Sequence, residues 1–491
     1  MARVILPARE AELPRPLDRA IAQGRVAGLL WFRSALGSTV AQARERISRA
    51  RSLWPSGSRA IFSIDEEGGL IQQLDGLRDD SGQTWPRLPS ARSLGRAGDA
   101  SFAFAHGRET GRRLRLLGLD VDLAPVVDLD PGGESGVLGT RCFGSDPEAV
   151  ADLALAWLRG LASAGIHGCL KHYPGHGRTR LDSHLDLPRI DESEDDQRHL
   201  RPFERIAREW NPGADGPAPG VLSAHLLPPR GARPVSLDRA ALARIPALLG
   251  PVWTDSLDMG ALAAFGSMAE RGSLALAAGS DLLVVGADLE GGLSLAASLD
   301  RAQNPRTIAL LDSMPARAIP DPWPLAAMEE VAGRALAISA RADGEIPRGE
   351  WDWLLPERVG PYGPVAEPRR IAGSAAGSPV RRSIRTVRRY DAGDPAAPAA
   401  MLAAMVDTGS AGGAGGVGGR PVLFGWVHRG PEDQATRALV EAHAGGRPIA
   451  AVAHLLDGPD ERGKLSPLWT AETCGFGEAE MAALIAAWET A

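Results

Sequence analysis

Residues 166–177 read IHGCLKHYPGHG, a short apolar run that ends in two ionisable side chains, Lys171 and His172. Several other apolar runs in the chain are also followed by a polar or ionisable residue. These residues are Asp65, Asp128, His225 and Asp255. An eight-stranded α/β barrel brings the carboxyl ends of all its strands to one face, where its active site lies. An open, doubly wound sheet gathers only the ends near its switch point, so the pattern favours a barrel.

The first 340 residues alternate between short apolar runs and longer amphipathic segments. The strand candidates are Ala27–Phe32, Ala60–Ile64, Leu119–Ala124, Ile166–Lys171, Gly220–His225, Val252–Asp255 and Asp281–Gly286. Helix-like segments between them include Ala103–Leu117, Pro147–Ala164 and Met268–Ala278. This alternation predicts a parallel sheet covered by helices, and its length suits a (β/α)8 TIM-type barrel. The eighth strand is not evident, and the rhythm alone leaves a doubly wound sheet open.

The composition changes after residue 340. Residues 341–378 are rich in Pro, Gly and Arg, which is typical of a linker. Residues 379–491 predict a smaller, sandwich-like α/β domain with a glycine-rich loop at Gly409–Gly419. Its predicted strands are Pro421–Val427 and Pro448–His454, and its predicted helices are Glu432–His443 and Glu478–Trp488. We therefore divide the chain into a barrel domain (1–340), a linker (341–378) and a C-terminal domain (379–491).

Composition and charge exclude several classes of protein. The 491 residues are 44% hydrophobic and carry a net charge of -7, which suits a globular enzyme and argues against nucleic acid or an anionic membrane as partner. No apolar stretch reaches membrane-spanning length. The three cysteines give no disulfide framework, and the N-terminal residues lack the pattern of a signal peptide. We expect a cytoplasmic protein that acts on a small substrate.

The first group with chemical potential is Lys171–Gly177 together with Asp182-Ser183-His184. His172 and His176 have the spacing of a helical zinc pair, but the Pro-Gly between them breaks a helix, so we expect no metal. A turn with incidental histidines is the plain alternative. In a loop, Asp182 and His184 can hydrogen-bond, and a histidine partnered by a carboxylate is a good proton carrier near neutral pH.

Two acidic motifs follow other strand candidates. Asp255 ends the run Pro251–Thr254, where it could be a catalytic carboxylate or the N-cap of a following helix. These two interpretations are equally supported by the residue alone. Asp65 opens an acidic turn before two glycines and either faces solvent or binds hydroxyl groups in the barrel mouth. A carboxylate nucleophile, a separate proton carrier and several polar side chains match the needs of glycoside cleavage.

These motifs resemble glycoside hydrolase family 3, and specifically its β-N-acetylglucosaminidase branch. The resemblance runs in order through AGLLWFRS, IDEEGG, LPSARSLG, GLDVDLAPVVDLD, RCFG, KHYPGHG, DSHLDLP, TDSLDM and AERGSLALAAGSDLLVV. KHYPGHG with DSH is its most specific part. The resemblance implies a retaining enzyme without a cofactor that releases terminal β-linked N-acetylglucosamine from a small oligosaccharide or cell-wall fragment. The C-terminal domain resembles the family's second domain by strand–helix rhythm alone.

The resemblance also implies a role for individual residues. Asp255 would be the nucleophile, and His184, held by Asp182, would be the general acid and then the base. The sugar would be held by these residues: Asp65, Arg141, Lys171, His172 and Gln73. The family usually has arginine at the positions of Leu70 and Gln73, and a glutamine makes weaker, uncharged hydrogen bonds to a sugar than an arginine does.

Three alternatives stay open at this point. The first is a β-glucosidase or β-xylosidase, although KHYPGHG speaks against that branch. The second is a glycoside phosphorylase, because a histidine acid/base tolerates incoming phosphate better than a carboxylate does. The third is a catalytically impaired sugar-binding relative, suggested by the missing arginines and the short C-terminal domain.

Overall fold

The structure is a computed structural model that describes two parts of the chain in different detail. Residues 3–130, 138–179, 183, 186–190, 196–299, 320–324, 326–328, 330 and 331 are described in the first part. In the remainder only the backbone of six strands is described, between residues 337 and 473.

The first part forms a barrel of eight parallel strands. The strands are β1 (Val4–Ala8), β2 (Gly28–Trp31), β3 (Ile61–Ile64), β6 (Val121–Asp122), β7 (His167–Tyr173), β8 (Gly220–Ser223), β9 (Val252–Thr254) and β10 (Leu283–Val284), with a small hairpin, β4 (Glu66–Gly68) and β5 (Ile71–Gln72), inserted after β3. Their order is β10-β1-β2-β3-β6-β7-β8-β9. A parallel bridge between Trp253 and Leu282 joins β9 to β10 and closes the ring. The predicted TIM-type barrel is confirmed, and each of the seven predicted strands is present.

The strand that the sequence did not reveal is β1. Its register places Leu6 beside Leu29 on one side and Val4 beside Leu283 on the other. Pro7 argues against a central strand because proline cannot donate to the ladder. Here the pairing with β10 ends where Val285 donates to the Ile5 carbonyl, so Pro7 lies beyond the last bond on that side.

Helices surround the barrel and follow the local signals of the sequence. The helices are α1 (Arg15–Ala22), α2 (Arg33–Leu36), α3 (Val40–Arg51), α4 (Ala91–Ala97), α5 (Ala100–Leu117), α6 (Pro147–Ser163), α7 (Asp196–Glu209), α8 (Pro212–Asp215), α9 (Arg239–Leu242), α10 (Met268–Ala278) and α11 (Leu289–Ser298). Helix α6 begins with Pro147 after Asp146, whose side chain accepts from the Ala149 amide. A capping box of Ser267 and Glu270 starts α10. None of the helices in the described ranges has the length and apolarity needed to span a bilayer.

Alternating residues of each strand divide the core into two layers. Ile5, Leu30 and Trp253 belong to the cluster that fills the barrel interior. Leu6 and Leu29, their neighbours along the strands, belong to the cluster between the sheet and the helices. The inner layer fills the barrel below the carboxyl ends of the strands, which is the end where a TIM-type barrel has its active site.

The second described part is a six-stranded sheet. Its strands are β11 (Ala337–Ala340), β12 (Trp351–Pro356), β13 (Ile384–Tyr390), β14 (Val422–Val427), β15 (Ile449–His454) and β16 (Trp469–Thr473), in the order β11-β16-β15-β14-β12-β13. All neighbours are parallel except β11 and β16. The predicted strands near 421–427 and 448–454 are therefore present, and β12 falls within the predicted linker. The two predicted helices and the glycine-rich loop lie outside the described residues, and the domain boundaries stay predictions.

Candidate active site

The carboxyl ends of the barrel strands surround a cavity of about 430 Å³. Each of the eight strands contributes to its wall at or near its end. In chain order these residues are Arg9, Phe32, Asp65, Leu123, Lys171, Leu222, Asp255 and Gly286. The convergence expected from the sequence is therefore present for Asp65, Lys171 and Asp255.

A buried ion network lies on one side of the cavity. Lys171 Nζ is 2.8 Å from Asp65 Oδ1 and 2.5 Å from Glu67 Oε1. Arg141 donates two hydrogen bonds of 2.8 Å to the Glu67 carboxylate. Burial alone would raise the pKa of Glu67, but the charges of Arg141 and Lys171 outweigh it and lower the pKa to about 2. Although burial opposes it, the carboxylates of Asp65 and Glu67 raise the pKa of Lys171, so the ammonium form is retained.

The His172 ring is held by a fully buried carboxylate. Asp128 Oδ2 lies 2.6 Å from His172 Nδ1, and Asp128 also accepts the backbone amide of His176 at 2.6 Å. Burial would raise the pKa of Asp128, but the charge and hydrogen bond of His172 outweigh it and lower the pKa. The other ring nitrogen, His172 Nε2, is 3.3 Å from Arg141 Nη2. The ring orientation is thus set from both edges.

The rings of His172 and His176 are neighbours, and both hydrogen-bond to protein groups. Their ring centroids are 5.9 Å apart, and Nδ1 of His172 is hydrogen-bonded to Asp128. His176 Nε2 lies 3.0 Å from Ser183 Oγ, and Nδ1 lies 3.2 Å from Thr179 Oγ1. Burial lowers the pKa of His176 to about 4, so the ring is neutral at pH 7. Within the described ranges no three His, Cys, Asp or Glu side chains are grouped as a metal would require.

The loop expected to carry the proton donor is described only at Ser183. This serine is buried, lines the cavity and accepts the Ala261 amide through its carbonyl at 3.2 Å. Asp182 and His184, on either side of it, lie outside the described residues.

Asp255 lies directly after β9 on the cavity wall. Its backbone amide donates to the Ser223 carbonyl, and its Oδ1 accepts the Ser256 amide at 2.8 Å. The next helical segment is the short 3₁₀ helix Gly260–Phe265, which Met259 precedes without a side-chain cap. The helix-cap interpretation of Asp255 is therefore not what the structure has.

The loop that follows Asp255 is fixed by Asp258, which the sequence did not single out, and by His225, which was expected at a strand end. Asp258 accepts the backbone amides of Ala287 and Asp288, both at 2.6 Å, and hydrogen-bonds the Ser256 hydroxyl. These donors lower the pKa of Asp258 although its partial burial opposes this. His225, which ends its strand candidate, points Nε2 at the Ser256 carbonyl at 2.9 Å. Both residues position the loop.

Gln73 reaches the cavity from the hairpin after β3. Its Oε1 accepts the backbone amide of Arg33 at 2.9 Å, and the backbone amide of Gln73 donates to Glu66 Oε2 at 2.6 Å. The hairpin depends on Gly68, where φ is 88° and a Cβ would come 2.4 Å from the Pro89 carbonyl oxygen. The Gln73 side chain thus hydrogen-bonds a backbone amide at a position where an arginine was expected.

Most of the site residues expected from the sequence line one cavity. Those placed there are Asp65, Gln73, Arg141, Lys171, His172 and Asp255. Sequence reasoning missed Glu67 and Asp128 as the carboxylates that organise them, although Asp128 follows an apolar run. The arrangement provides fixed donors and acceptors for a polyhydroxylated ring. The Asp255 carboxylate follows β9, which lies two places around the barrel from β7.

Comparison with known proteins places this barrel in a family. The model of the glycosyl hydrolase family 3 N-terminal domain matches residues 8–301. A beta-hexosaminidase of Chromobacterium violaceum is 33% identical over 325 residues, which are 64% of this chain and 85% of that protein. NagZ from Neisseria gonorrhoeae is 27% identical with a TM-score of 0.55 over 64% of this chain and 89% of that one.

A third similarity covers both parts of the chain. A glycoside hydrolase family 3 β-N-acetylglucosaminidase from Paenibacillus sp. str. FPU-7 gives a TM-score of 0.80 over 99% of this chain and 95% of that one. Its sequence identity is 22%, so this likeness concerns the fold. The family match includes seven of the eight strands that build the cavity and begins at Ala8, the last residue of β1. The expected family is confirmed: the chain belongs to glycosyl hydrolase family 3 and is a glycoside hydrolase.

Proposed function

We propose that this protein is a retaining exo-β-N-acetylglucosaminidase that releases terminal β-linked N-acetylglucosamine, with Asp255 as its nucleophile. The observation that carries the proposal is the shared cavity: Asp255 lines the same space as the network of Asp65, Lys171 and Arg141. The named relatives support the sugar, since the similar protein from Chromobacterium violaceum is a beta-hexosaminidase.

The ion network suits the binding of a neutral, hydroxyl-rich ring. Two of the three ammonium hydrogens of Lys171 are directed at Asp65 and Glu67, which leaves one for a ligand. Arg141 Nη1 and Asp65 Oδ2 have no hydrogen-bond partner among the described residues. Lys171 and Arg141 can donate to a sugar hydroxyl or to the acetamido oxygen, and Asp65 can accept from a hydroxyl, without breaking the network, so the site is preorganised.

The proposed reaction has two steps. The Asp255 carboxylate attacks the anomeric carbon while His184 gives a proton to the leaving oxygen, and a glycosyl ester on Asp255 results. His184, helped by Asp182, then takes a proton from the water that cleaves this ester. Ser183, which stands between these two residues in the sequence, lines the cavity, and this supports the roles proposed for them.

The first experiment is hydrolysis of 4-nitrophenyl N-acetyl-β-glucosaminide by the wild type and by Asp255→Ala. We expect the variant to lose at least about 1,000-fold in kcat, because removing a nucleophile removes the covalent route. Asp238→Ala is the matched control, since Asp238 caps a short helix outside the cavity and its loss costs only about 1 kcal/mol of stability. Equal activity of the wild type and Asp255→Ala would reject the assignment of the nucleophile.

Two further comparisons separate the alternatives within the family. The rate on the corresponding glucoside should be far lower than the rate on the N-acetylglucosaminide. A glucosidase would show the reverse preference. Addition of inorganic phosphate should neither speed the reaction nor produce sugar 1-phosphate. A phosphorylase would show both effects. Cell-wall fragments as the natural substrate, and action in the cytoplasm, are part of the proposal and rest on the sequence.

A further inference from the structure

Arg9 occupies the cavity wall in a way that the proposed function does not use. It follows β1 and is exposed. Its Nε donates to the Gly286 carbonyl at 2.7 Å, and its guanidinium carbon lies 3.8 Å above the centre of the Phe32 ring. The backbone oxygen of one barrel strand end and the ring of another therefore fix the plane of the guanidinium.

The charge of Arg9 is not matched within the cavity. Lys171 and Arg141, the other two Lys or Arg residues of the wall, are paired with Glu67 and, for Lys171, with Asp65 as well. In the described part of the chain, Arg9 has neither an ion pair within 4.0 Å nor a hydrogen bond from Nη1 or Nη2. A cation with two directed donors thus faces the space where the substrate binds.

The chemistry of this group favours one kind of ligand. A guanidinium edge with two parallel N–H donors matches both oxygens of a carboxylate, while a hydroxyl uses only one donor. An N-acetylhexosamine carries no carboxylate of its own. If the terminal sugar is neutral, an anion in the cavity has to belong to the group attached to its anomeric oxygen.

We propose that Arg9 binds a carboxylate on the leaving group and so gives the enzyme a preference for acidic conjugates of the terminal sugar. This inference rests on the proposed function, because the neutral terminal sugar is what assigns the carboxylate to the leaving group. Arg9 is a specificity residue in this proposal, and it takes no part in bond breaking.

The test uses two substrates that differ in charge. One is 4-nitrophenyl N-acetyl-β-glucosaminide with a carboxylate on the phenyl ring of its leaving group, and the other is the same compound with that carboxylate replaced by its primary amide. The quantity is the ratio of kcat/KM for the acid to kcat/KM for the amide, which cancels effects common to both. We expect Arg9→Gln to lower this ratio by about tenfold, as loss of a charge-assisted pair predicts. Arg25→Gln removes the same charge at the amino-terminal end of β2, where Arg25 also binds neutral partners, and should keep the wild-type ratio.

The remaining outcomes are decisive. A ratio in Arg9→Gln equal to that of the wild type would overturn the proposal. If kcat/KM had also fallen equally on both substrates, Arg9 would hold hydroxyl groups and not a carboxylate. If the wild type cleaves neither substrate, the proposed function fails separately. Equilibrium binding of the same two compounds then tests Arg9, with the wild type again expected to favour the acid about tenfold more than Arg9→Gln does.

Discussion

Glu66 and Glu67 are adjacent on β4 and both are buried, yet their surroundings have opposite effects on their carboxyl groups. Glu67 faces the cavity, where two cations lower its pKa to about 2. Glu66 faces the opposite way, and burial raises its pKa to about 7 although the amides of Leu74 and Gln73 oppose this. Charge pairing, and not burial, therefore separates the cavity side of the hairpin, which carries Glu67, from the opposite side, which carries Glu66.

The Glu66 side has further signs of an unpaired acid. Glu66 Oε1 and Asp122 Oδ2 are buried and have no hydrogen-bond partner among the residues that the structure describes. Burial, with the nearby Glu66 charge adding to it, raises the pKa of Asp122 well above its ordinary value. These two carboxyl groups share a region without a matching cation in hydrogen-bond contact, and a proton on one of them relieves the repulsion.

The sharpest test of the comparison is activity. Glu67→Gln leaves Lys171 and Arg141 without their shared carboxylate, and we expect kcat/KM on the N-acetylglucosaminide to fall by about 100-fold or more. Glu66→Gln keeps an acceptor for the amides of Gln73 and Leu74 and should stay within about threefold of the wild type. Similar losses in the two variants would show that the two sides of the hairpin do not differ.

The next largest effect is on stability in acid. The folded pKa of Glu67, about 2, lies below its ordinary value of 4.5, so its contribution is present above pH 4.5 and is lost as the pH falls towards 2. This contribution is about 3 kcal/mol. Urea unfolding of the wild type and Glu67→Gln should show a difference at pH 6 that shrinks with acid; a constant difference would contradict the pairing.

Glu66 should behave in the opposite sense. Its folded pKa, about 7, lies above 4.5, so its penalty is absent below pH 4.5 and grows as the pH rises to 7. Glu66→Gln should therefore gain stability relative to the wild type over this range, by up to roughly 3 kcal/mol if the amide packs as well as the acid. A relative loss on raising the pH would mean that Glu66 has a cationic partner.

The smallest expected effect concerns salt. Lys171 and Glu67 have side-chain exposures of 3% and 4%, so mobile ions cannot approach their pair closely. Raising NaCl from about 0.05 to 0.5 M should change kcat/KM on the neutral N-acetylglucosaminide by less than about twofold. A steep salt dependence with this substrate would indicate that exposed charges control binding.

The sequence predicted much of the barrel because strand and helix patterns are local. Its failures came from contacts between distant residues. β1 is only five residues long and contains Pro7, and no residue pattern near it predicts its pairing with β10. β12 was hidden in a stretch whose prolines, glycines and arginines suggested a linker.

The same limit applies to the site. Strand ends identified Asp65, Lys171 and Asp255, since parallel strands bring their carboxyl ends together. The pairing of Arg141 with Glu67 joins residues 74 positions apart. Neither IDEEGG nor RCFG, the motifs that contain them, indicates this pairing. The roles of Asp255, Asp182 and His184 came from resemblance to a family, and they stay predictions.

The position of β1 has a consequence for how the chain folds during synthesis. Val4 pairs with Leu283, so one edge of β1 meets its barrel partner only after the whole stretch between these two residues has been made. Its other edge pairs early with β2, beginning at Ile5 and Gly28. Contacts between such distant residues form slowly, because loop closure has to precede them. Closure of the ring is therefore a late event, and the cavity that Arg9 and Gly286 border is completed only then.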